Sequence, residues 1–187
     1  MNFWLVLLGI IAFVILFPFI RCLFKRVVCA TKIKRMCQRK NFVTRPTHPL
    51  WFLGSKKAKN CDLYIETPTQ VFAIKLFGAP RRLSILTFKE DCHYFFRSYI
   101  ALISYGAGFH IPLDSREKKI PSFDFRYKYK NTWDEKTVRK ILLVNPTPME
   151  FHYQPRHGQE RIVCAGDTIN GMEIASLQCF LKELEGV

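Results

Sequence analysis

Cys61–Gly78, CDLYIETPTQVFAIKLFG, is the stretch of sequence that decides the fold of this chain. Asp62–Thr67 and Val71–Phe77 are rich in β-branched and aromatic residues, and a turn sequence that contains Pro68 separates them, so the stretch predicts a β-hairpin. Because side chains alternate across a strand, the second strand has two faces, one with Val71, Ala73, Lys75 and Phe77, the other with Phe72, Ile74 and Leu76. A β-rich domain is therefore expected to begin near residue 60.

Further strands are predicted wherever a short apolar run is bounded by turn residues. Ile141–Val144 is apolar throughout, which is typical of a strand covered on both faces. The other runs lie before and after the hairpin: Leu50–Leu53, Leu83–Phe88, one or two strands within His93–Phe109, Met149–Tyr153 and Arg161–Ala165.

Two helices complete the predicted domain. Asp134 is a suitable N-cap for a short helix, DEKTVRK. Met172–Leu184, MEIASLQCFLKEL, spaces its apolar residues as an amphipathic helix does. This order of strands and helices predicts one α+β domain with a mixed sheet over residues 60–187. The alternative fold is a strand-rich barrel closed by the C-terminal helix, as in pleckstrin-homology-like domains.

Upstream of the domain, Phe3–Ile20, FWLVLLGIIAFVILFPFI, has eighteen residues without a charged side chain. As a helix the run is about 27 Å long, close to the hydrocarbon thickness of a bilayer. A cleaved signal peptide carries positive charge before its apolar core and a small-residue cleavage site after it, and neither flank has these features. The sequence therefore predicts a retained transmembrane anchor over residues 1–24.

The positive charge of the chain is concentrated after this apolar run. The formal net charge is +14, and twelve Lys or Arg lie between Arg21 and Lys59 with no Asp or Glu among them. We expect a basic juxtamembrane segment and linker over residues 25–59, because anionic headgroups attract such clusters; the alternative is a solvated helix that merely sets topology. The predicted membrane-surface residues are Arg21, Lys25, Arg26, Lys32, Lys34, Arg35, Arg39 and Lys40.

Cysteine usage and charge asymmetry both predict where the domain lies. The seven cysteines are an odd number without a CxxC motif, which favours a reducing compartment. Lys and Arg follow the apolar run and do not precede it, so the positive-inside rule places the domain on the cytoplasmic side. The expected arrangement is a single-pass protein of the cell membrane with its N-terminus outside and its domain in the cytoplasm.

Asp62 at the start of the first hairpin strand and Lys75 inside the second resemble the core of the PD-(D/E)xK restriction-endonuclease-like superfamily. The resemblance implies that the strand-borne Asp and a Glu two residues before the Lys bind a divalent metal such as Mg²⁺, while the Lys positions the attacking water. Here the residue two before Lys75 is Ala73. Glu66, on the same strand face as Asp62, is the candidate replacement, so a nuclease of this type would use Asp62, Glu66 and Lys75.

Other patterns carry weaker functional signals. FDFRYKYK alternates aromatic and charged residues, as an exposed strand or a single-strand nucleic-acid platform does. His48, His93, His110, His152 and His157 have no metal-ligand spacing, and each is interpreted as an ordinary surface or turn residue.

Three functions are compatible with the sequence. The favoured one is an anchored but non-catalytic binding or scaffold domain without a cofactor, because the second metal-binding carboxylate is missing; its partners would be anionic headgroups and an unidentified protein. The second is an anchored metal-dependent nuclease. The third is a membrane-tethered nucleic-acid-binding protein, the least favoured because residues 62–187 carry 17 basic and 15 acidic side chains.

Overall fold

The computed structural model describes residues 3–53, 61–78, 84–104, 107–114, 116–120, 133, 136–145 and 147–187. In these ranges the chain forms two β-sheets and two α-helices, and the helices pack on one face of one of the sheets. The elements are α1 Phe3–Arg39, β1 Val43–Pro46, a 3-10 turn Trp51–Leu53, β2 Leu63–Glu66, β3 Gln70–Phe77, β4 Ser84–Lys89, β5 His93–Ser104, β6 Ala107–Asp114, β7 Lys118–Lys119, β8 Thr137–Val144, β9 Glu150–Gln154, β10 Arg161–Val163, β11 Thr168–Ile169, β12 Met172–Ser176 and α2 Leu177–Gly186.

The central sheet has the strand order β1-β2-β3-β8-β12-β11. Its middle is parallel, because β8 pairs in parallel with both β3 and β12, whereas β2 pairs antiparallel with β3. The second sheet has the order β10-β9-β4-β5-β6, with β7 beside β5. Its β4 and β9 are parallel, and the other pairs are antiparallel.

The domain has three layers: helices, central sheet and second sheet. One face of the central sheet packs against α1 and α2, and this helix-side core contains Cys29, Ile33, Cys37, Leu63, Ile65, Phe72, Ile74, Ile141, Leu143, Ala175, Phe180 and Leu184. The opposite face packs against the second sheet through Phe77, Leu142, Val144 and Ile174, which meet Leu86, Phe88, Phe96 and Phe151. Burial of each such side chain contributes about 1.5–3 kcal/mol, so the central strands hold the two outer layers together.

The α+β class, the mixed sheet and the hairpin of Asp62–Thr67 with Val71–Phe77 are confirmed. The two faces of β3 also match the predicted alternation. Phe72 and Ile74 belong to the helix-side core, whereas Phe77 packs towards the second sheet. Ile141–Val144 is buried throughout, at the end of the longer strand β8.

The predicted transmembrane anchor, and with it the membrane-spanning part of the fold prediction, is wrong. Within the described part of the chain, no helix is both long enough and apolar enough to cross a bilayer. The apolar run of Phe3–Ile20 forms the first half of the single 37-residue helix α1, which continues to Arg39. The second half of α1 mixes Lys and Arg with Cys29, Ile33 and Cys37, which pack on the central sheet, so this half is a helix of the domain.

Three local predictions also differ from the structure. Leu50–Leu53 was expected to be a strand, but Trp51–Leu53 forms a 3-10 turn. The prediction of a short helix over DEKTVRK is wrong from Thr137 onward, because β8 begins there. Asp134, its predicted N-cap, lies outside the described residues. Met172–Ser176 was expected to be helical but forms β12, and the helix starts at Leu177.

Candidate functional site

The β2–β3 hairpin brings Asp62 and Lys75 together. Leu63 pairs with Ile74, so Asp62 precedes the ladder at the level of Lys75, and the Asp62 backbone N–H donates to the Ile74 carbonyl at 2.8 Å. Lys75 Nζ lies 3.2 Å from Asp62 Oδ1, and the Leu76 backbone N–H donates to Oδ2 at 2.9 Å. Both carboxylate oxygens of Asp62 therefore have partners within the hairpin.

This ion pair is buried inside the domain. The Lys75 side chain is 4% exposed and that of Asp62 is 0% exposed. On the same face of β3, Ala73 belongs to a small cluster covered by Trp133, and Phe77 belongs to the core between the sheets. A buried charge is tolerated when it is paired and hydrogen-bonded, so Asp62 and Lys75 neutralise each other in an apolar surrounding.

Glu66 does not join this pair. It lies opposite Val71 at the other end of the hairpin, four residues from Asp62, which is about 13 Å along a strand. Its carboxylate accepts a hydrogen bond from Lys136 Nζ at 2.9 Å and lies 3.6 Å from Arg45 Nε. The hydrogen bond from Lys136 holds the pKa of Glu66 below its ordinary value, with a further contribution from the charge of Arg45.

The predicted nuclease constellation is thus divided into a buried pair, Asp62 and Lys75, and a separate, partly exposed Glu66. In the ranges that the structure describes, no three His, Cys, Asp or Glu side chains are placed to hold a metal ion. The neighbouring Cys61 is also unsuited to nucleophilic chemistry, because burial raises its pKa to about 12 and keeps it a thiol.

The predicted membrane-surface residues all lie on the second half of α1 or directly after it. Arg21, Lys32, Lys34, Arg35, Arg39 and Lys40 are exposed, and Lys25 and Arg26 are half-buried. Lys40 Nζ donates to the Glu185 carbonyl of α2 at 2.6 Å. Among the residues that the structure describes, no Lys or Arg of α1 forms an ion pair with an acidic side chain.

A polar cluster on the second sheet was missed by the sequence interpretation. His152 Nε2 lies 2.8 Å from Glu150 Oε2, and its Nδ1 lies 3.0 Å from Glu160 Oε1. The hydroxyl of the buried Thr87 donates to the same Glu160 oxygen at 3.1 Å. The spacing of Glu150 and His152 on one strand is visible in the sequence, but the approach of Glu160 depends on the tertiary fold.

FDFRYKYK, the candidate nucleic-acid platform, lies outside the described residues, as does the basic trio of Lys56, Lys57 and Lys59.

Comparisons of the chain with protein-family models, with curated proteins and with solved structures found no match.

Proposed function

We propose that this chain is a non-catalytic binding domain that holds an acidic protein partner. The observation that carries the proposal is the state of Asp62, whose two carboxylate oxygens are occupied by Lys75 Nζ and the Leu76 N–H in a site closed to solvent. A metal-dependent nuclease requires a carboxylate that is open to the ion and to a water molecule. The pair instead has the features of a structural element.

The cations of α1 support the binding part of the proposal. Lys32, Lys34, Arg35 and Arg39 are exposed and have no acidic partner among the described residues. Uncompensated surface charge of one sign attracts a partner of the opposite sign and speeds its association. The rest of the domain carries nearly balanced charge, so α1 is the surface at which an acidic partner is expected to bind.

Polyglutamate is a suitable probe for this surface. The full-length protein should bind polyglutamate with an affinity that falls as salt is added, because exposed charges are screened. Reversal of two α1 cations in a Lys32→Glu/Arg35→Glu variant should weaken binding by about tenfold or more. Reversal of the exposed β7 residues in Lys118→Glu/Lys119→Glu is the matched control and should have a much smaller effect.

The catalytic alternative is tested in the same preparation with single- and double-stranded DNA and RNA in the presence of Mg²⁺ or Mn²⁺. We expect intact substrates, and a melting temperature that does not change with either metal, since an ion that binds the folded state would raise it. Metal-dependent cleavage that disappears in Asp62→Asn would overturn the proposal. Equal polyglutamate binding by the α1 variant and by wild type would overturn its binding part.

A further inference from the structure

A histidine between two carboxylates holds the end of the β9–β10 connection on the second sheet. Nε2 of His152, in β9, lies 2.8 Å from Glu150 Oε2, and its Nδ1 lies 3.0 Å from Glu160 Oε1. Glu160 directly precedes β10, the three-residue strand at the edge of the second sheet. The His152 side chain is 15% exposed, so solvent does not readily replace these contacts. They anchor the start of β10.

Glu160 has two further partners on the second sheet. The buried Thr87 hydroxyl of β4 donates to Oε1 at 3.1 Å, and Arg97 Nη1 of β5 lies 3.6 Å from Oε2. Burial of Glu160 disfavours its charge, but hydrogen bonds with His152 and Thr87 and the charges of Arg97 and His152 outweigh that effect and hold the pKa of Glu160 below its ordinary value. Glu160 is therefore a carboxylate from about pH 5 upward, and a carboxylate only accepts hydrogen bonds.

The charged residues next along the neighbouring strands belong to other contacts. On β10, the apolar Ile162 lies opposite His152, and the guanidinium of Arg161 packs over the Tyr153 ring. On β4, Lys89 belongs to a separate ion pair. Within the described part of the chain, the polar partners of the His152 ring are therefore the two carboxylates.

Both contacts of the ring at once require a doubly protonated histidine. A neutral imidazole has one N–H and one nitrogen lone pair, whereas an imidazolium has two N–H groups. When the ring is neutral, either Glu150 or Glu160 therefore faces a lone pair, and one of the two contacts is lost. An ordinary imidazole changes between these forms near about pH 6.5.

We propose that His152, Glu150 and Glu160 form a proton-controlled latch, which holds the start of β10 on the second sheet in weakly acidic solution and releases it as the pH rises. The latch is closed between about pH 5, where Glu160 is ionised, and about pH 6.5, below which an imidazole carries its second proton. Its contribution is lost above this range, because the ring gives up the proton that serves the second carboxylate. The latch lies on the second sheet, whereas α1 packs on the far face of the central sheet, so it is independent of the proposed binding function.

Hydrogen–deuterium exchange of the full-length protein at about pH 5.8 and about pH 8 tests the latch. After correction for intrinsic exchange rates, the protection of the β10 backbone amides should fall by about threefold or more from the lower pH to the higher one, because a charge-assisted hydrogen bond is lost. His152→Gln does not titrate and should remove this pH dependence. His157→Gln is the matched control and should keep it, since His157 is an exposed histidine of the same connection.

Glu150→Gln should keep the latch closed at the higher pH. The glutamine amide can donate to the unprotonated Nε2 of His152, so the neutral ring can use its Nδ1–H for Glu160 and both contacts survive. Protection of β10 in this variant should therefore be nearly the same at the two pH values, a gain that general loosening of the sheet does not produce.

Three results would overturn the inference. The first is equal protection of β10 in wild type at the two pH values. The second is a pH-dependent fall in His152→Gln or Glu150→Gln as large as that in wild type. The third is a fall of the same size in the amides of β3 and β8, which would assign the effect to global unfolding. Polyglutamate binding is a separate measurement, so failure of the latch would leave the proposed function standing.

Discussion

Lys75 is a charged side chain on a strand whose neighbours are buried and apolar, and Asp62 allows it to lie there. The residue types and their strand positions were visible in the sequence, because alternation places both on one face of the hairpin. The register of the hairpin brings the two side chains together, but their burial was not visible in the sequence, because it depends on segments from elsewhere in the chain. Glu66 lies on the same strand face as Asp62, but four residues of extended strand separate the two carboxylates by about 13 Å. They therefore do not form one site.

Removal of one member of the buried pair should be far more damaging than removal of both. Lys75→Met leaves an unpaired carboxylate in the interior and should lower the free energy of unfolding by about 3–5 kcal/mol. The double variant Asp62→Leu/Lys75→Met removes both charges and should recover most of this loss. Urea denaturation of the two variants measures the difference. A double variant no more stable than the single one would show that the pair has a favourable interaction that apolar packing does not replace.

Glu66 should contribute stability that depends on pH. Its pKa is lowered by Lys136, so the folded state favours the carboxylate, and the contribution is present above the ordinary pKa of 4.5 and is lost as the pH falls through the folded value. Glu66→Gln should therefore be less stable than wild type at pH 7, by about 0.5–1 kcal/mol for a partly exposed pair. In urea titrations this difference should vanish well below pH 4.5. A difference that stays constant with pH would argue against the ion pair.

At the scale of elements, sequence reasoning failed where a distant strand decided the outcome. The apolar residues of Met172–Leu184 have the spacing of an amphipathic helix, yet Met172–Ser176 forms strand β12. This strand belongs to the central sheet because it pairs in parallel with β8. Thr137–Lys140 was likewise expected to be helical, and it pairs with Gln70–Ala73 of β3. The hairpin was predicted correctly because both of its strands and its turn are adjacent in the chain.

Ser176 marks the true start of α2. Its hydroxyl oxygen accepts a hydrogen bond from the Cys179 backbone N–H at 3.2 Å, which is an N-cap at the junction of β12 and the helix. Ser176→Ala should destabilise the protein by about 0.5–2 kcal/mol, whereas Ser176→Asp, which keeps the capping oxygen, should lose much less. Thermal unfolding followed by circular dichroism distinguishes the two. Equal losses would place the effect in the packing of residue 176 and not in its hydrogen bond.

The three-layer arrangement as a whole could not be predicted from the sequence. β4 to β7 lie between β3 and β8 in the chain but build the second sheet, and β9 and β10 do the same between β8 and β12. The sequence shows which segments are strands, but not that alternate groups of them belong to different sheets. The sequence also predicted a basic juxtamembrane segment and linker over residues 25–59; in the structure, Ile33 and Cys37 of this range lie in the helix-side core.

The packing of α1 predicts that a domain starting at residue 60 is incomplete. Without α1, the helix-side core would expose Phe72, Ile74 and Ile141, which are fully buried in the whole chain. A fragment of residues 60–187 should bind the dye ANS and unfold without a cooperative transition. A fragment of residues 23–187, which keeps the packed half of α1, should unfold cooperatively. Cooperative unfolding of both fragments would show that α1 is dispensable for the domain.

The contact between α1 and α2 has a consequence for synthesis on the ribosome. α1 leaves the exit tunnel before any strand of the central sheet, whereas α2, which carries Phe180 and Leu184 of the same core, follows the last of these strands. Domains fold during translation only as far as their contacts have been delivered. The apolar side of α1 therefore stays incompletely covered until the end of translation, and we expect chaperones that bind apolar helices to associate with the nascent chain.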